Sequence, residues 1–499
     1  MIVLENYTEG SWKAGRGQGT PLMNPETGEQ VASASSEGVD FGSALRFARE
    51  KGSRNLQRMT YAERAALLGK IADLLAQNRS GYFEISRANL GGSDADASFD
   101  VDGAIYTLKQ YAKLGAGLTG RMLVDDAVIP LSKSGAFQAQ HYLKPLEGAA
   151  VFINAFNFPA WGLWEKAAPA LLSGVAVLVK PATPTAWLTQ QMVKDVVEAG
   201  ILPEGAISIV CGSARDLLDH LRENDIVSFT GSAQTAAAIR SHPNVIARSV
   251  RFNVEADSLN ATILGEDVKP DSELFSLFAA EAAKEMTLKA GQKCTAIRRL
   301  IVPRDHADAV VRAVSEKLAA GCGPVVNRAQ HSAALAGIEQ LKRECEVVFT
   351  ADSSKPKQSC FVPPTLLLCK EPLRAKAVHE VEVFGPVATL MPYSGVSEAV
   401  TLANMGQGSL VASVFSDDPA FLATVSLGIA SQHGRIMAVT SAVGKQHTGH
   451  GNVVPTCIHG GPGRAGGGEE LGGLRALQLY HRRFVVQGPP DLLNAITQS

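Results

Sequence analysis

The sequence predicts an α/β protein built from two α/β regions and a small inserted β element. Three observations carry that expectation. From Ala149 onward, short apolar strands alternate with amphipathic helices, and from about residue 257 the alternation begins afresh. Residues 122–143, MLVDDAVIPLSKSGAFQAQHYL, break a long helical stretch with strand-like alternation resembling an inserted hairpin. At 499 residues the chain can bury two or three cores. A hydrophobic share of 45% and a charged share of 19% are those of a soluble globular protein. A net charge of -2 points to neither a nucleic acid nor a membrane surface as partner.

Residues 1–36 read as short strands and turns, with Asn24-Pro25-Glu26-Thr27-Gly28-Glu29 turning between extended pieces. The pattern from Val39 to Gly115 is helical. Tyr61, Arg64, Ala65, Leu68, Ile71, Leu74 and Leu75 share one face there, behind Thr60 as N-cap. Strands are expected at Ala149–Ile153, Val175–Val179, Ile207–Val210 and Ile226–Phe229, with helices between them. That order implies a parallel sheet with ligands at the carboxyl ends of its strands. The second region reads as strand Ala261–Leu264, helix Glu273–Lys289, strand Leu300–Pro303 and helix Ala307–Leu318, then extended pieces at Glu346–Thr350, Pro386–Leu390 and Gly408–Phe415. Residues 444–473 hold many glycines without periodicity, the pattern of loops approaching a ligand or another backbone, or else of a flexible linker. Leu474–Gln487 reads as part helix, part strand. MIVLENYTEG at the start carries no secretory pattern, and the longest nearly apolar run, Ala167–Val179, is too short to span a bilayer. Seven scattered cysteines with no CxxC pair fit reduced thiols in a cytoplasm.

The stretch Met286–Arg299, MTLKAGQKCTAIRR, is the candidate reaction centre. A helix running into Gly291 and an apolar strand soon after place Cys294 at an abrupt change of chain direction, within a ligand's reach. A lone cysteine is more often a small buried hydrophobe. Company favours chemistry here: Glu255 and Asn157-Phe158-Pro159 upstream, Phe384-Gly385-Pro386 downstream. The thiolate is the reactive form, and at an ordinary pKa of roughly 8.5 only a few per cent is present at neutral pH. A helix end, nearby lysines or a bound cationic ring can raise that fraction, and the sequence does not fix the thiol's pKa. No histidine stands at the spacing of a Cys–His hydrolase. His447, His450 and His459 lack a carboxylate or thiol at a familiar ligand spacing, so no metal is expected. An ordinary G-x-G-x-x-G is absent. Instead Phe229-Thr230-Gly231-Ser232 closes a strand and opens a helix, Ala233–Ile239, whose first N–H groups can take a phosphate, although such turns are mostly structural.

Taken in order, these pieces resemble the aldehyde dehydrogenase superfamily over nearly the whole chain. The matching stretches are Asn24–Glu29, Asn157-Phe158-Pro159, Lys166 before Pro169-Ala170-Leu171, Lys180-Pro181, Phe229–Ser232, Glu255, Gly291–Ala296 with Arg299, and Glu382-Val383-Phe384-Gly385-Pro386-Val387. The resemblance implies an aldehyde dehydrogenase-like α/β fold with a Rossmann-type cofactor domain (1–124 and 146–256), an α/β catalytic domain (257–474) and a small β oligomerisation element (125–145 and 475–499). It implies that Cys294 attacks an aldehyde carbon and that the Asn157 amide and Cys294 backbone N–H hold the oxyanion. Glu255 then activates water against the thioester, its pKa tuned upward by a partly apolar site. Lys166 takes a supporting role. Lys180, Ser232 and Gly231 are assigned to the adenosine ribose and phosphates, Glu382 to the nicotinamide ribose, and Phe156 and Phe384 to the cofactor's ring end.

Departures carry information. After Glu255 the superfamily usually has Leu-Gly-Gly where this chain has Ala256-Asp257-Ser258, and Ala233 and Ala236 replace a usual Thr and Gly, so this turn must differ. Thr183 stands where NAD-preferring members often carry a Glu. A carboxylate there accepts from the ribose 2′-OH and repels a 2′-phosphate, so Thr183 implies NADP, with NAD the weaker cofactor. The tail His459–Gly473 resembles a narrower branch that oxidises semialdehydes formed when coenzyme A-activated aromatic rings are opened. Because the chain stops at Ser499 without a fused hydratase domain, the expectation is a stand-alone enzyme of the benzoyl-CoA type. It would take a CoA-linked aldehyde and form a cytoplasmic homodimer. Other readings stay open: a semialdehyde of the phenylacetate type, a dehydrogenase in which coenzyme A attacks the thioester, or a catalytically silent, dehydrogenase-like binding protein.

Overall fold

The computed structural model describes residues 2–352 and 356–498. A nine-stranded sheet organises the first half. Its centre is parallel, in the order Arg251–Glu255, Ile226–Thr230, Ala149–Ile153, Ala176–Lys180 and Ile207–Ile209; Ile2–Thr8, Gln30–Ala34 and Thr20–Met23 extend it, and Ser11–Ala14 pairs with Ile2–Thr8. AAVFI and AVLVK carry almost no polar side chain because both faces of a parallel sheet are covered. Register lines up the carboxyl ends: Ile153 opposes both Phe229 and Lys180, and Thr230 opposes Glu255. Asn157, Lys180, Ser232 and Glu255 therefore share one rim.

The helices hold that rim from behind. Tyr61–Gln77 starts with a capping box between Thr60 and Glu63, as its sequence signature requires. Trp161–Ser173 is buried throughout and follows directly on the Asn-Phe-Pro turn. Asp100, itself buried, accepts N–H bonds from Ala160 (3.3 Å) and Trp161 (2.7 Å) and so fixes where this helix begins. Gly103 admits the Trp161 ring, since a Cβ there would lie 2.4 Å from it.

The second sheet has seven strands, in the order Glu346–Thr350, Thr365–Leu368, Val387–Tyr393, Arg299–Pro303, Ala261–Leu264, Ser409–Phe415 and His433–Val439. All pairs are parallel except the edge strand Glu346–Thr350. A third sheet joins Gln138–Pro145 to His481–Gly488 along eight residue pairs, with Leu123–Val124 and Ile129–Pro130 on its other side. Among the described residues, no helix is long and apolar enough to cross a membrane.

Two expectations are corrected. The helix expected over Glu273–Lys289 ends at Thr287, because Lys289 and Ala290 adopt left-handed backbone angles. A helix, Pro490–Gln498, follows the last strand, where none was foreseen. The glycine-rich tail approaches another backbone, as its composition implies: Ile458–Gly460 pairs with Glu469–Leu471, and Gly466 and Gly468 press on the open edge of Arg251–Glu255. Gly468 N–H donates to Val254 O (3.0 Å), and a Cβ at either glycine would fall 2.5 Å from that oxygen. The tail also returns to the first core through Val453, Leu471, Leu477 and Tyr480.

Candidate active site

Cys294 is delivered by a turn that breaks local preference. Lys289, Ala290 and Gly291 have φ of 53°, 52° and 67° in succession. Left-handed geometry costs roughly 1–2 kcal/mol per non-glycine residue, so the surroundings must hold it. They do so with polar bonds from distant segments. Lys289 N–H donates to Asp96 Oδ1 at 2.5 Å. Arg298 donates to the carbonyls of Gly291 (2.8 Å) and Gly385 (2.8 Å), tying this turn to the Phe-Gly-Pro loop. Asn260 donates to the carbonyls of Cys294 (2.7 Å) and Ala296 (2.9 Å). A Cβ on Gly291 would sit 2.3 Å from Gly385 O, so only glycine fits where the two loops meet.

The Ala256-Asp257-Ser258 departure has a structural use. Ala256 N–H donates to Ala465 O (2.9 Å), Asp257 Oδ1 accepts from Ala233 N–H (3.1 Å), and Ser258 N–H donates to Glu382 Oε2 (3.2 Å). The turn thus fastens Glu255 to the tail, to the helix Ala233–Arg240 and to the second half of the chain.

Cys294, Glu255, Asn157 and Lys166 line one cavity of about 460 Å³, together with Glu165 and His459. Asn157 also lines a neighbouring cavity that Phe156, Lys289 and Gln292 border, so it stands in the wall between them. The Cys294 thiol, the Glu255 carboxylate and the His459 imidazole all lie within 4.8 Å of one another. His459 Nε2 is 3.3 Å from Glu255 Oε2, while Glu255 Oε1 is buried without a partner among the described residues. Beside them Lys166 Nζ is 3.0 Å from Glu165 Oε1 and 3.1 Å from Glu470 Oε2. Glu470 also accepts from Ser228 (2.9 Å) and Asn253 (3.2 Å).

The charges of the cavity set the state of the thiol and reverse the direction expected for Glu255. Cys294 exposes surface only toward the cavity, and burial, with Glu255, Glu165 and Glu382 nearby, pushes its thiol well above the ordinary range. The resting sulfur is therefore protonated, because carboxylates and not lysines face it. Burial alone would push Glu255 up, but His459, Lys166 and the thiol bond from Cys294 pull its carboxyl below the ordinary value. His459 is correspondingly raised, Glu255 overcoming the effect of burial, and the two form an ion pair. Glu165 is pushed up to about 7 by burial against the pull of Lys166.

On the first sheet's rim, Lys180 is half-exposed, its pKa lowered by burial, and no carboxylate pairs with it among the described residues. Thr183 opens the short 3-10 turn Thr183–Thr185. Ser232 caps the helix Ala233–Arg240 by accepting from Thr235 N–H (3.2 Å), and a Cβ on Gly231 would strike the Phe229 ring at 2.5 Å. With Ala233 N–H already donating to Asp257, this helix start keeps fewer free donors than the sequence implied. Glu382 is pushed up to about 7 by burial, against the pull of Arg298, and its Oε1 is buried without a hydrogen-bond partner among the described residues. Phe156 and Phe384 meet edge to face at 5.7 Å. The unpaired Lys180, the Glu382 oxygen that has only the Arg298 guanidinium at 3.8 Å, and this aromatic pair suit a dinucleotide with a polar ribose and a flat ring.

Sequence reasoning passed over His459, Glu165, Glu470, Asn260 and Arg298. His459 had been weighed only as a metal ligand. Its one signal was a histidine opening the tight glycine tail, where a Cβ on Gly460 would lie 2.1 Å from Gly468 O.

A thiol, a carboxylate and an amide on one cavity between two α/β units define a class of aldehyde-oxidising enzymes. A model of the aldehyde dehydrogenase family matches residues 12–480, and the chain belongs to that family of oxidoreductases acting on aldehydes. More particularly, it is 57% identical over 478 residues to 3,4-dehydroadipyl-CoA semialdehyde dehydrogenase of Aromatoleum evansii, covering 92% of this chain and 93% of that protein. It is 25% identical to the D-glyceraldehyde dehydrogenase (NADP(+)) of Thermoplasma acidophilum, over 98% of each. Betaine aldehyde dehydrogenase from Staphylococcus aureus in complex with NAD+ superposes with a TM-score of 0.84 at 22% identity, covering 98% of this chain and 97% of that one. That likeness establishes the fold.

Proposed function

We propose that the protein oxidises a CoA-linked semialdehyde, of the 3,4-dehydroadipyl-CoA type, to its carboxylic acid with NADP, and releases the acid by hydrolysis. The observation that carries this reading is the convergence of Cys294, Glu255 and Asn157 on one cavity. The Cys294 thiol and the Glu255 carboxylate lie within 4.8 Å of each other, so the carboxylate can take the thiol's proton as the sulfur attacks the aldehyde carbon. The Asn157 amide and the Cys294 N–H are assigned to the resulting oxyanion, typically about 3–4 kcal/mol per donor. A nicotinamide dinucleotide supplies the hydride acceptor, held by Lys180, Ser232, Gly231 and Glu382 and flanked by Phe156 and Phe384. The oxidised adduct is a thioester on Cys294, and Glu255 takes a proton from the water that hydrolyses it. Lys166 fixes Glu165 and Glu470 in the cavity wall.

The relative from Aromatoleum supports the choice of substrate, and Thr183 supports NADP over NAD. The domains are proposed at 1–124 with 146–256, at 257–474, and at 125–145 with 475–499. Exposed Val128, Ile129, Leu131, Phe137 and Val485 support the last as the surface of a homodimer. The test is a panel of aldehydes with and without a coenzyme A handle, assayed with both nicotinamide cofactors and with product analysis. Preference for the handle, NADPH formation and free acid as product are expected. An acyl-CoA product that requires added coenzyme A would replace this reading with the acylating one.

A further inference from the structure

Far from the catalytic thiol in sequence, two other cysteines face each other at the end of a strand ladder. In the antiparallel pair formed by Glu346–Thr350 and Thr365–Leu368, Glu346 stands opposite Leu368. The next residues outward, Cys345 and Cys369, are therefore opposite as well. Directly opposed residues of antiparallel strands have Cα atoms about 4.5 or 5.5 Å apart, and both spacings lie within the roughly 4.4–6.8 Å that a disulfide bridges. Alternation turns the two side chains to the same face. Leu367 and Cys369 belong to one core and Cys345 packs against it, whereas Leu366 and Leu368 turn to the other. Both thiols are free. Cys345 is half-buried on the sheet's edge strand side, where a small solute can reach it, and Cys369 is buried behind it.

We propose that Cys345 and Cys369 form a dithiol modification site, closed into a cross-strand disulfide by a small hydroperoxide and reopened by a dithiol reductant. Hydrogen bonding between the two thiols is the largest influence on the titration of each, as their facing positions at the end of the ladder require. The Cys345 sulfur attacks the peroxide O–O bond and becomes a sulfenic acid, its thiol proton leaving with the departing oxygen as water. The Cys369 sulfur then displaces the hydroxyl, whose oxygen leaves with the Cys369 proton as a second water. Two thiols and one peroxide thus give one disulfide and two waters, a two-electron oxidation of the sulfur pair. The reaction needs no strand rearrangement, because the ladder already sets the spacing.

The experiment exposes the full-length protein to stepwise hydrogen peroxide, blocks the remaining thiols by alkylation and maps the digest by mass spectrometry without reduction. The expected product is a Cys345–Cys369 linked peptide that disappears on treatment with dithiothreitol, with the alkylated count falling by two of the seven thiols. The same map on Cys294→Ser protein separates this oxidation from that of the catalytic thiol. Cys345→Ser, at the half-exposed position, should abolish the link and leave aldehyde oxidation unchanged. Recovery of both cysteines singly alkylated, under conditions that already oxidise Cys294, would overturn the proposal. So would either of them linked to a different cysteine.

Discussion

Two charged clusters are buried side by side in the cavity wall, built on opposite terms. In Glu165–Lys166–Glu470 the ammonium has a carboxylate at 3.0 Å and another at 3.1 Å, and Glu470 takes two further donors. In Glu255–Cys294–His459 one carboxylate oxygen has its imidazole at 3.3 Å, the other has no partner, and the thiol is held protonated by its anionic surroundings. A buried acceptor left unmet costs about 1–3 kcal/mol. The first cluster leaves Glu470 Oε2 without a hydrogen bond but 3.1 Å from the Lys166 ammonium, and acts as scaffolding; the second leaves Glu255 Oε1 without one beside the thiol, where a substrate has something to complete.

Cys294→Ala should break the comparison most. Loss of the nucleophile is expected to lower kcat by on the order of 10⁴- to 10⁶-fold in a steady-state cofactor-reduction assay. The thermal midpoint should stay close to that of the wild type, because the change removes one sulfur facing a cavity. Activity above a hundredth of wild type would mean that another group attacks the aldehyde. Glu255→Gln comes next, with about 10²- to 10⁴-fold lost. Removing the carboxylate takes away the base but also eases ionisation of the Cys294 thiol, so the sulfur can still attack slowly, and intact-mass spectrometry should find acyl groups accumulating on it because water is not activated.

Lys166→Met tests the other cluster, with stability as the readout. Removing one partner of a buried ion network typically costs about 3–5 kcal/mol, because the partners left behind are uncompensated. Chemical denaturation should show that loss, while Cys294 keeps its reactivity toward a small alkylating agent. A stable Lys166→Met protein would show that Glu165 and Glu470 take up protons instead. Glu165, already pushed up to about 7, is the readier to do so.

How much of this was legible in the chain depends on how far apart the partners lie. The parallel strands could be read from local apolar runs, and Cys294, Glu255 and Asn157 from short motifs whose order resembles the family. His459 could not be read in the same way, since its bond to Glu255 joins the tail to the edge strand Arg251–Glu255 of the first sheet. The left-handed turn at Lys289 and Ala290 was illegible for a related reason. Neither residue favours it, and Asp96, Asn260 and Arg298 impose it from elsewhere. The direction of the Glu255 shift was misjudged because burial, visible in an apolar strand, was outweighed by His459 and Lys166, which only the fold brings near.

His459→Gln sharpens that last point through pH. In the wild type, His459 pulls Glu255 down, so its carboxylate persists as pH falls. Without the cation, burial dominates and the Glu255 pKa rises. The acid limb of kcat/KM must then move to higher pH, with about a tenfold loss for each unit of displacement below it. The alkaline side should still climb in both proteins, because the Cys294 thiol is raised and gives up its proton more readily as pH increases. An unmoved acid limb would reduce His459 to packing.

The smallest effect expected is at the cofactor's far end. Thr183→Glu places a carboxylate at the head of the turn that follows Lys180, on the rim where the adenosine ribose is assigned. Two unit charges about 4 Å apart repel by about 1 kcal/mol in water and about 4 kcal/mol near a protein surface. The kcat/KM for NADP should therefore fall by roughly fivefold to nearly a thousandfold, while that for NAD holds or rises, because the new carboxylate can accept from a 2′-OH. Lys180 stands three residues away with no carboxylate of its own among the described residues, and an ion pair to the new Glu would blunt the repulsion. Raising the ionic strength separates the two outcomes. Repulsion of a half-exposed phosphate weakens with salt, whereas a hydrogen bond to the 2′-OH does not. A ratio of cofactor efficiencies unchanged by the substitution at low salt would place the 2′-position elsewhere and remove the argument for NADP.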